Sequence, residues 1–224
     1  MNYPIKPHHL AITLIAALLT ASASAEQNRF YLRGDVGGTS TRDVELREFF
    51  GQALAPNTEI ELDPGIRFGI RAGYGLTDWL SAEVETGVTA NRIKSITGAL
   101  EAEGALANVP LLLNARLHLP DSSRVSPYIG AGFGLANTVL TGDNITIGGT
   151  TLNGTTADAV FAYQVFAGLD FALNDRMSIG AEYRFFHAEP SNMTADLTVG
   201  TPTDRVKLGR VETHAVSVAF KFRF

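Results

Sequence analysis

The chain has 224 residues, a formal net charge of −5 and 45% hydrophobic residues, a composition that suits one domain. Cysteine is absent, which excludes a disulfide scaffold, and the histidines show no metal-ligand spacing, so we expect neither a structural metal nor a cofactor. The cations are dispersed rather than clustered, which argues against nucleic-acid partners.

The first 25 residues are typical of a cleaved signal peptide. Lys6 precedes an apolar run at residues 10–19, and the small residues at 23–25 form a cleavage pattern. Because a membrane-spanning helix needs roughly 20 apolar residues, this run is too short for a signal anchor. We therefore expect residues 26–224 to form the mature domain, with a net charge of −6 because Lys6 is the only charge removed.

Eight later windows alternate apolar residues with polar or small ones, over the roughly 9–11 residues that a tilted strand needs to cross a bilayer. No window shows a convincing helical period, so the mature chain is predicted to be all-β. Segments rich in Gly, Asn and Asp separate the windows. The windows are 29–40, 64–75, 79–89, 107–119, 126–137, 159–171, 177–187 and 208–224.

Charge falls on one parity of these windows, and the other parity is apolar, as Ile66, Phe68 and Ile70 illustrate. His214 is the only titratable residue on the apolar parity. A soluble barrel with its apolar side inward shows the same alternation, so this pattern alone does not choose between lipid and water outside. The charged parity comprises Arg33, Asp35, Arg67, Arg71, Glu83, Glu85, Arg116, His118, Asp170, Glu182, Arg184, Lys221 and Arg223.

The lengths of the predicted connections favour lipid outside. They alternate long and short in the order 41–63, 76–78, 90–106, 120–125, 138–158, 172–176 and 188–207. The four long loops therefore share one end, as in outer-membrane barrels with short periplasmic turns and long extracellular loops. We predict an eight-stranded antiparallel up-and-down transmembrane β-barrel in the outer membrane of a Gram-negative bacterium.

Aromatic residues at the strand ends support this choice of solvent. Tyr74, Trp79, Phe171, Phe222 and Phe224 fall at the short-turn ends, where they could form an interfacial girdle. Phe161 and Phe185 are placed similarly toward the outer end. The remaining competitor at the level of the fold is a soluble ligand-binding barrel in the periplasm.

Three stretches resemble the OmpA-like and opacity-protein-like outer-membrane barrels: residues 126–134 (SPYIGAGFG), 73–79 (GYGLTDW) and 220–224 (FKFRF). The resemblance covers essentially the whole mature chain, and its most specific part is the alternating aromatic ending. It implies that Phe220, Phe222 and Phe224 form the signal for the barrel-assembly machinery. No peptidoglycan-binding domain follows the last predicted strand, so we expect no wall-anchoring role.

The interior of an eight-stranded barrel is narrow enough for side chains to fill it. Arg67 and Arg71 face Glu83 and Glu85 across the first short turn and are the best-defined candidates for luminal ion pairs, because a buried charge needs a partner. A polar plug is the favoured interpretation, and a narrow ion path gated by the same pairs is the alternative. Replacing both glutamates with alanine is predicted to open a plugged lumen.

Glycines 130, 132 and 134 share the inward parity of the fifth window, and Phe166 of the sixth window could lie over the space that they leave. His187, Glu189 and Ser191 form the only compact His/Glu/Ser group, whereas His214 and Ser217 have opposite parity. Because such groupings are weak evidence for catalysis, we predict that the protein is not an enzyme.

The remaining surface lies in the four loops, of which 138–156 is rich in Thr, Gly and Asn and almost uncharged. We predict a structural or surface-interaction barrel whose partners are outer-membrane lipid, the assembly machinery and, through the loops, an extracellular ligand or host surface. A narrow porin-like channel for small solutes or ions is the second hypothesis, and a lipid-active enzyme is the third.

Overall fold

The computed structural model describes residues 29–118, 124–195 and 204–224, so the predicted signal peptide lies outside the described residues. Nowhere in this part of the chain is there a helix long and apolar enough to cross a membrane. The described residues form thirteen strands: β1 (Phe30–Thr41), β2 (Val44–Phe49), β3 (Gln52–Ala53), β4 (Glu59–Leu62), β5 (Gly65–Gly75), β6 (Leu80–Ile96), β7 (Glu101–His118), β8 (Val125–Ile147), β9 (Thr150–Ala172), β10 (Met177–Ala188), β11 (Ser191–Thr194), β12 (Arg205–Leu208) and β13 (Val211–Arg223).

Eight of these strands form a closed antiparallel ring. The pairing runs from β1 to β5, β6, β7, β8, β9, β10 and β13, and β13 returns to β1. In the closing pair, Tyr31 lies opposite Arg223 and Thr41 lies opposite Thr213. Each predicted window falls on one ring strand, so the all-β antiparallel fold class is confirmed.

The long predicted loops are largely β structure, and this part of the prediction was wrong. Strands β8 and β9 continue to a tight turn at Gly148 and Gly149, which have φ of 57° and 82°. The predicted loop 90–106 likewise consists mostly of β6 and β7, and the other two contain β2–β4 and β11–β12. Backbone pairing does not require alternating charge, so a strand can continue beyond the segment in which charge alternates. Thr, which is frequent in these segments, is well tolerated in strands.

The opposite end of the ring has short connections in the described residues. Between β9 and β10, the backbone amides of Arg176 and Met177 donate to Oδ1 of Asn174, both at 2.9 Å. Between β5 and β6, Leu76 N donates to Leu80 O at 2.9 Å. An asparagine that satisfies its own turn allows the chain to reverse within a few residues.

The ring strands carry apolar side chains outward and charged ones inward. Phe68, Phe133 and Val216 are 51%, 59% and 66% exposed, whereas Arg71 and Glu85 are 0% exposed. This arrangement is the reverse of a soluble barrel, in which the apolar parity faces the interior. The outer wall therefore suits lipid rather than water.

Five short strands lie over the end of the ring opposite the short connections, which we call the outer end. We call these strands, β2, β3, β4, β11 and β12, the cap. Strand β2 pairs with both β12 and β4, and β4 pairs with the outer part of β6. Leu46, Phe49 and Ile60 of these strands are almost completely buried, together with inward-facing residues of the ring such as Leu112. The cap thus continues the barrel interior, and the sequence analysis did not predict it.

Candidate functional site

The charged parity of the ring strands converges inside the barrel. Of the thirteen residues on the predicted charged parity, eleven are buried and have an ion-pair partner. The other two, His118 and Arg223, are half-buried at the short-turn end and line a cavity there. The eleven are Arg33, Asp35, Arg67, Arg71, Glu83, Glu85, Arg116, Asp170, Glu182, Arg184 and Lys221.

Asp170 is the centre of the part of this network nearest the short turns. Its carboxylate accepts from Nη1 of Arg33 at 2.6 Å and from Nζ of Lys221 at 2.8 Å. Arg116 donates through Nη2 to the same oxygen as Lys221, Oδ2, at 2.5 Å and lies 3.5 Å from Glu83 through Nη1. One carboxylate therefore holds three cations from three different strands.

Arg71 links the middle of the network. Both of its Nη atoms donate to Glu182, at 2.8 and 2.6 Å, and Nη2 also donates to Asp35 at 3.0 Å. Its Nε lies 3.4 Å from Glu85 and its Nη1 lies 3.8 Å from Glu83. Bidentate guanidinium–carboxylate pairing of this kind fixes both position and orientation.

Glu85 is the centre of the part nearest the cap. Arg67 and Nη1 of Arg184 donate to its Oε1, the latter at 2.6 Å. Nδ2 of Asn114 and Nε2 of Gln164 donate to its Oε2 at 2.9 and 2.7 Å. The structure thus places Arg67 and Glu85 together, from neighbouring strands, and adds donors from three further strands.

Sequence reasoning missed four polar members of the network. Tyr31 donates through its hydroxyl to Glu83 at 2.7 Å, and the Tyr128 hydroxyl donates to Glu182 at 3.0 Å. Asn114 and Gln164 complete the set around Glu85. All four lie on the inward parity, so counting uncharged hydrogen-bonding residues on that parity would have found them.

Two aromatic rings sit among the buried guanidinium groups. Arg116 lies 3.6 Å above the ring of Tyr128, and both Arg71 and Arg184 lie 5.2 Å from the ring of Phe166. Phe166 also covers Gly130, as predicted, since a Cβ at Gly130 would overlap its ring. These contacts hold planar cations against π faces in a space without bulk water.

The polar network gives way to apolar side chains toward the cap. On β10 the inward residues Glu182 and Arg184 are followed by Phe186 and Ala188, both in the apolar core. On β7, Asn114 is followed by Leu112, which joins the same core. Inside the ring, the charged layer at the short-turn half thus meets an outer half in which an apolar layer lies beside buried, uncharged polar side chains, such as Thr41, which hydrogen-bonds with Asn91 and Thr213.

The predicted girdle residues lie on the outer surface. Tyr74, Trp79 and Phe171 are 37%, 52% and 44% exposed. Phe224 is also exposed, and its ring lies 5.2 Å from that of Phe222. The rings therefore stand at the short-turn end of the wall, where an interfacial belt would be needed.

His187 does not join the predicted His/Glu/Ser group as a unit. Its Nε2 lies 3.7 Å from Glu189 and its Nδ1 lies 3.5 Å from Glu212, while its ring stacks on Tyr163 at 4.7 Å. Ser191 is buried on the cap strand β11, and no hydrogen bond joins it to His187 in the described residues. Across these residues no cluster of three or more His, Cys, Asp or Glu side chains could hold a metal ion.

A closed antiparallel ring with an apolar outer wall and buried, paired charges defines a transmembrane β-barrel, because such a ring leaves no unpaired edge in lipid. A family model described as the outer membrane protein beta-barrel domain matches residues 10–224, and the chain belongs to this family. It is therefore a protein of the bacterial outer membrane, and the resemblance found in the sequence is confirmed.

Solved structures share this fold at low sequence identity. Neisserial surface protein A is 17% identical with a TM-score of 0.53, over 87% of this chain and 97% of that one. The outer membrane protein OprG from Pseudomonas aeruginosa is 14% identical with a TM-score of 0.58, over 90% and 99%. The outer membrane protease OmpT from Escherichia coli is 8% identical with a TM-score of 0.53, over 92% and 100%. No match was found among curated proteins.

Proposed function

We propose that this protein is a non-conducting, non-enzymatic barrel that acts through its outer surface, as a structural element of the outer membrane and as a partner for molecules outside the cell. The observation that supports this most is the filling of the lumen by two successive layers, the charged network and the apolar layer. Porins with open lumens have roughly twice as many strands, about 16–18.

Each layer opposes ion passage for a different physical reason. In the charged layer, an ion would have to separate groups such as Arg71 and Glu182, and an uncompensated buried charge costs about 3–5 kcal/mol. In the apolar layer, Leu112 and Phe186 offer no group that replaces the water shell of an ion. An ion that passed the first layer would therefore still meet the second.

A narrow channel for small ions is the second candidate. The observation that favours it is the continuous chain of polar contacts from Lys221 through Arg71 to Glu85, which could rearrange into a polar path. This chain of charged groups ends at the apolar layer, and the polar side chains farther out, Thr41, Asn91 and Thr213, are uncharged, so rearrangement of the ion pairs alone would not complete a charged path. The channel therefore ranks below the closed barrel.

Planar-bilayer recordings of the mature protein test the closed lumen, and we expect no stable open state. The sequence alone predicted that Glu83→Ala with Glu85→Ala would open it. Because the apolar layer lies beyond those residues, we now expect the double variant to stay closed and to conduct only when Leu112→Ser and Phe186→Ser are added.

Two changes on the lipid side of β6, Val84→Ala and Val88→Ala, serve as the control and should leave the recordings unchanged. All variants are first checked for the mobility shift of a folded barrel. Steady conductance by the unmodified protein would contradict the closed lumen.

The contacts of His187 support a structural rather than a catalytic role. Its neighbours are two carboxylates and Tyr163, and within the described part of the chain no hydroxyl nucleophile is hydrogen-bonded to it. Purified protein is expected to show no hydrolysis of lipid or peptide substrates. Hydrolysis that disappears in His187→Ala would show that this group is catalytic.

The segments that join the ring strands at the outer end are acidic. Residues 41–63, 90–106, 138–158 and 188–212 contain seven Lys and Arg against fourteen Asp and Glu. An acidic surface favours partners that present basic groups, and such attraction weakens with salt. We expect the mature protein to bind immobilised polylysine but not polyglutamate, and to be released by salt.

The C-terminal strand is proposed as the signal for the barrel-assembly machinery. Phe220 is 47% exposed, and Phe222 and Phe224 share its outward parity, so a receptor could read all three from the lipid side. Replacing Phe224 with alanine is expected to slow insertion in cells. Folding of the purified variant into detergent should be affected far less.

A further inference from the structure

The short-turn end of the barrel contains two polar cavities that share two cationic residues. One has a volume of ≈ 400 Å³ and the other of ≈ 660 Å³, and Lys221 and Arg223 line both. We call this pair of cavities the vestibule. In an outer-membrane barrel the short-turn end faces the periplasm, so the vestibule opens there.

Cations outnumber anions in the lining of the vestibule. The count over its described residues is five Arg and Lys against three Asp, with His118 in addition. The cations are Arg29, Arg116, Arg124, Lys221 and Arg223, and the carboxylates are Asp78, Asp170 and Asp175.

The inner wall of the vestibule holds three buried cations around one carboxylate. Arg33, Arg116 and Lys221 all contact Asp170; Arg116 also lies 3.5 Å from Glu83 and Arg33 lies 3.8 Å from Glu182, so in the described residues only Lys221 of the three has Asp170 as its single ion-pair partner. Lys221 is 7% exposed and has one hydrogen bond in the described residues, to Asp170, although an ammonium has three donors. Lys221 also lines both cavities, which makes it the buried cation that a ligand in either cavity would meet.

We propose that the vestibule binds an anion of phosphate chemistry, held by Lys221 with Arg116 behind it and Arg223 at the mouth. Ammonium and guanidinium groups are the usual partners of phosphate oxygens, and the cavity volumes fall in the range of small-ligand sites. The phosphate belongs either to a free phosphate compound of the periplasm or to the headgroup of an inner-leaflet lipid. Binding here goes beyond the proposed closed lumen and does not depend on it, since conductance reports on the lumen and ligand titration on the vestibule.

Titrations followed by ³¹P NMR test this site, with the full mature protein folded in maltoside micelles that contain no phosphate. The probes are inorganic pyrophosphate in one arm and phosphatidylglycerol in the other. We expect Lys221→Gln to weaken binding of the recognised probe at least about tenfold, as for loss of a charge-assisted contact. Arg210→Gln, which removes an exposed cation at the outer end, should leave it unchanged.

Asp170→Asn provides a test of opposite sign. It removes the carboxylate that competes for Lys221, so binding should become tighter, which a merely structural role of Asp170 would not produce. The mobility shift on boiling confirms that each variant is folded before titration.

Binding of pyrophosphate would identify a free anion as the ligand, and binding of the lipid alone would identify a headgroup. Both outcomes support the site if Lys221→Gln weakens the binding at least about tenfold. Absence of binding by both probes would overturn the proposal. So would equal effects of Lys221→Gln and Arg210→Gln, or unchanged binding by folded Asp170→Asn.

Discussion

At the scale of single residues, burial decides what an ion pair contributes. Glu85 and Glu61 each accept a hydrogen bond of 2.5–2.6 Å from a cation, Arg184 and Lys94 respectively. The side chain of Glu85 is 0% exposed and that of Glu61 is 43% exposed. Water can replace the partner of Glu61 but cannot reach the partners of Glu85.

We therefore expect Glu85→Ala to destabilise the barrel by about 3–5 kcal/mol, because it leaves buried guanidinium groups without a carboxylate. Glu61→Ala should cost less than about 1 kcal/mol, as exposed pairs do. Urea unfolding of both variants, followed by tryptophan fluorescence, measures the difference. Equal losses would mean that water enters the charged layer.

Close packing around glycine is a second feature at this scale. The backbone at Gly130 lies against the ring of Phe166, and the guanidinium groups of Arg71 and Arg184 each lie 5.2 Å from the centre of that ring. We expect Gly130→Ala to cost about 1–3 kcal/mol, because the ring must shift from its position. Gly38→Ala, where an added Cβ meets no atom within 4 Å, is the matched control and should be nearly neutral.

At the scale of elements, the cap strands are held by their apolar side and by charge on their exposed side. Val206 and Leu208 of β12 are buried in the apolar core. On the same strand Lys207 donates to Glu48 of β2, at 2.5 Å, and Arg205 lies 3.4 Å from that carboxylate. The hydrogen bond from Lys207, aided by the positive charges of Lys207 and Arg205, lowers the pKa of Glu48 below its usual value.

A lowered pKa makes the contribution of Glu48 depend on pH. The stabilisation is complete above the glutamate pKa of the unfolded chain, about 4.3, and is lost as the pH falls through the lower folded pKa. We expect hydrogen exchange at Val206, corrected for intrinsic rates, to rise as the pH falls through this acidic window. Glu48→Gln should remove the pH dependence, and Glu59→Gln on β4 should retain it.

The strand lengths show which elements could be predicted. Windows 64–75 and 177–187 agree with β5 and β10 to within one residue at each end, because charge parity persists along these strands. Strands β8 and β9 exceed their predicted windows by about ten residues at the outer end. Their Thr, Gly and Asn composition resembles that of loops, and their pairing depends on the partner strand rather than on local pattern.

At the scale of the whole molecule, the ring closes through β1 and β13, from the two ends of the described chain. A closed ring has no edge at which detergent can begin to unpair strands. We expect the mature protein, extracted from outer membranes, to change its electrophoretic mobility on boiling. An unshifted protein in the soluble periplasmic fraction would contradict the lipid-facing wall.

The sequence by itself determined the eight ring strands, the face of each that meets lipid, and the charges that lie inside. A period of two with charge on one parity has only one low-energy arrangement in a bilayer, and the aromatic strand ends indicated the bilayer, because alternation alone also fits a soluble barrel. Only the tertiary structure decided which charges meet, since Arg33 and Asp170 are 137 positions apart and become neighbours through the curvature of the ring. The tertiary structure also decided that the outer segments form a cap. The apolar residues of the cap are core residues because they fill the barrel interior, and that interior exists only after the ring has closed.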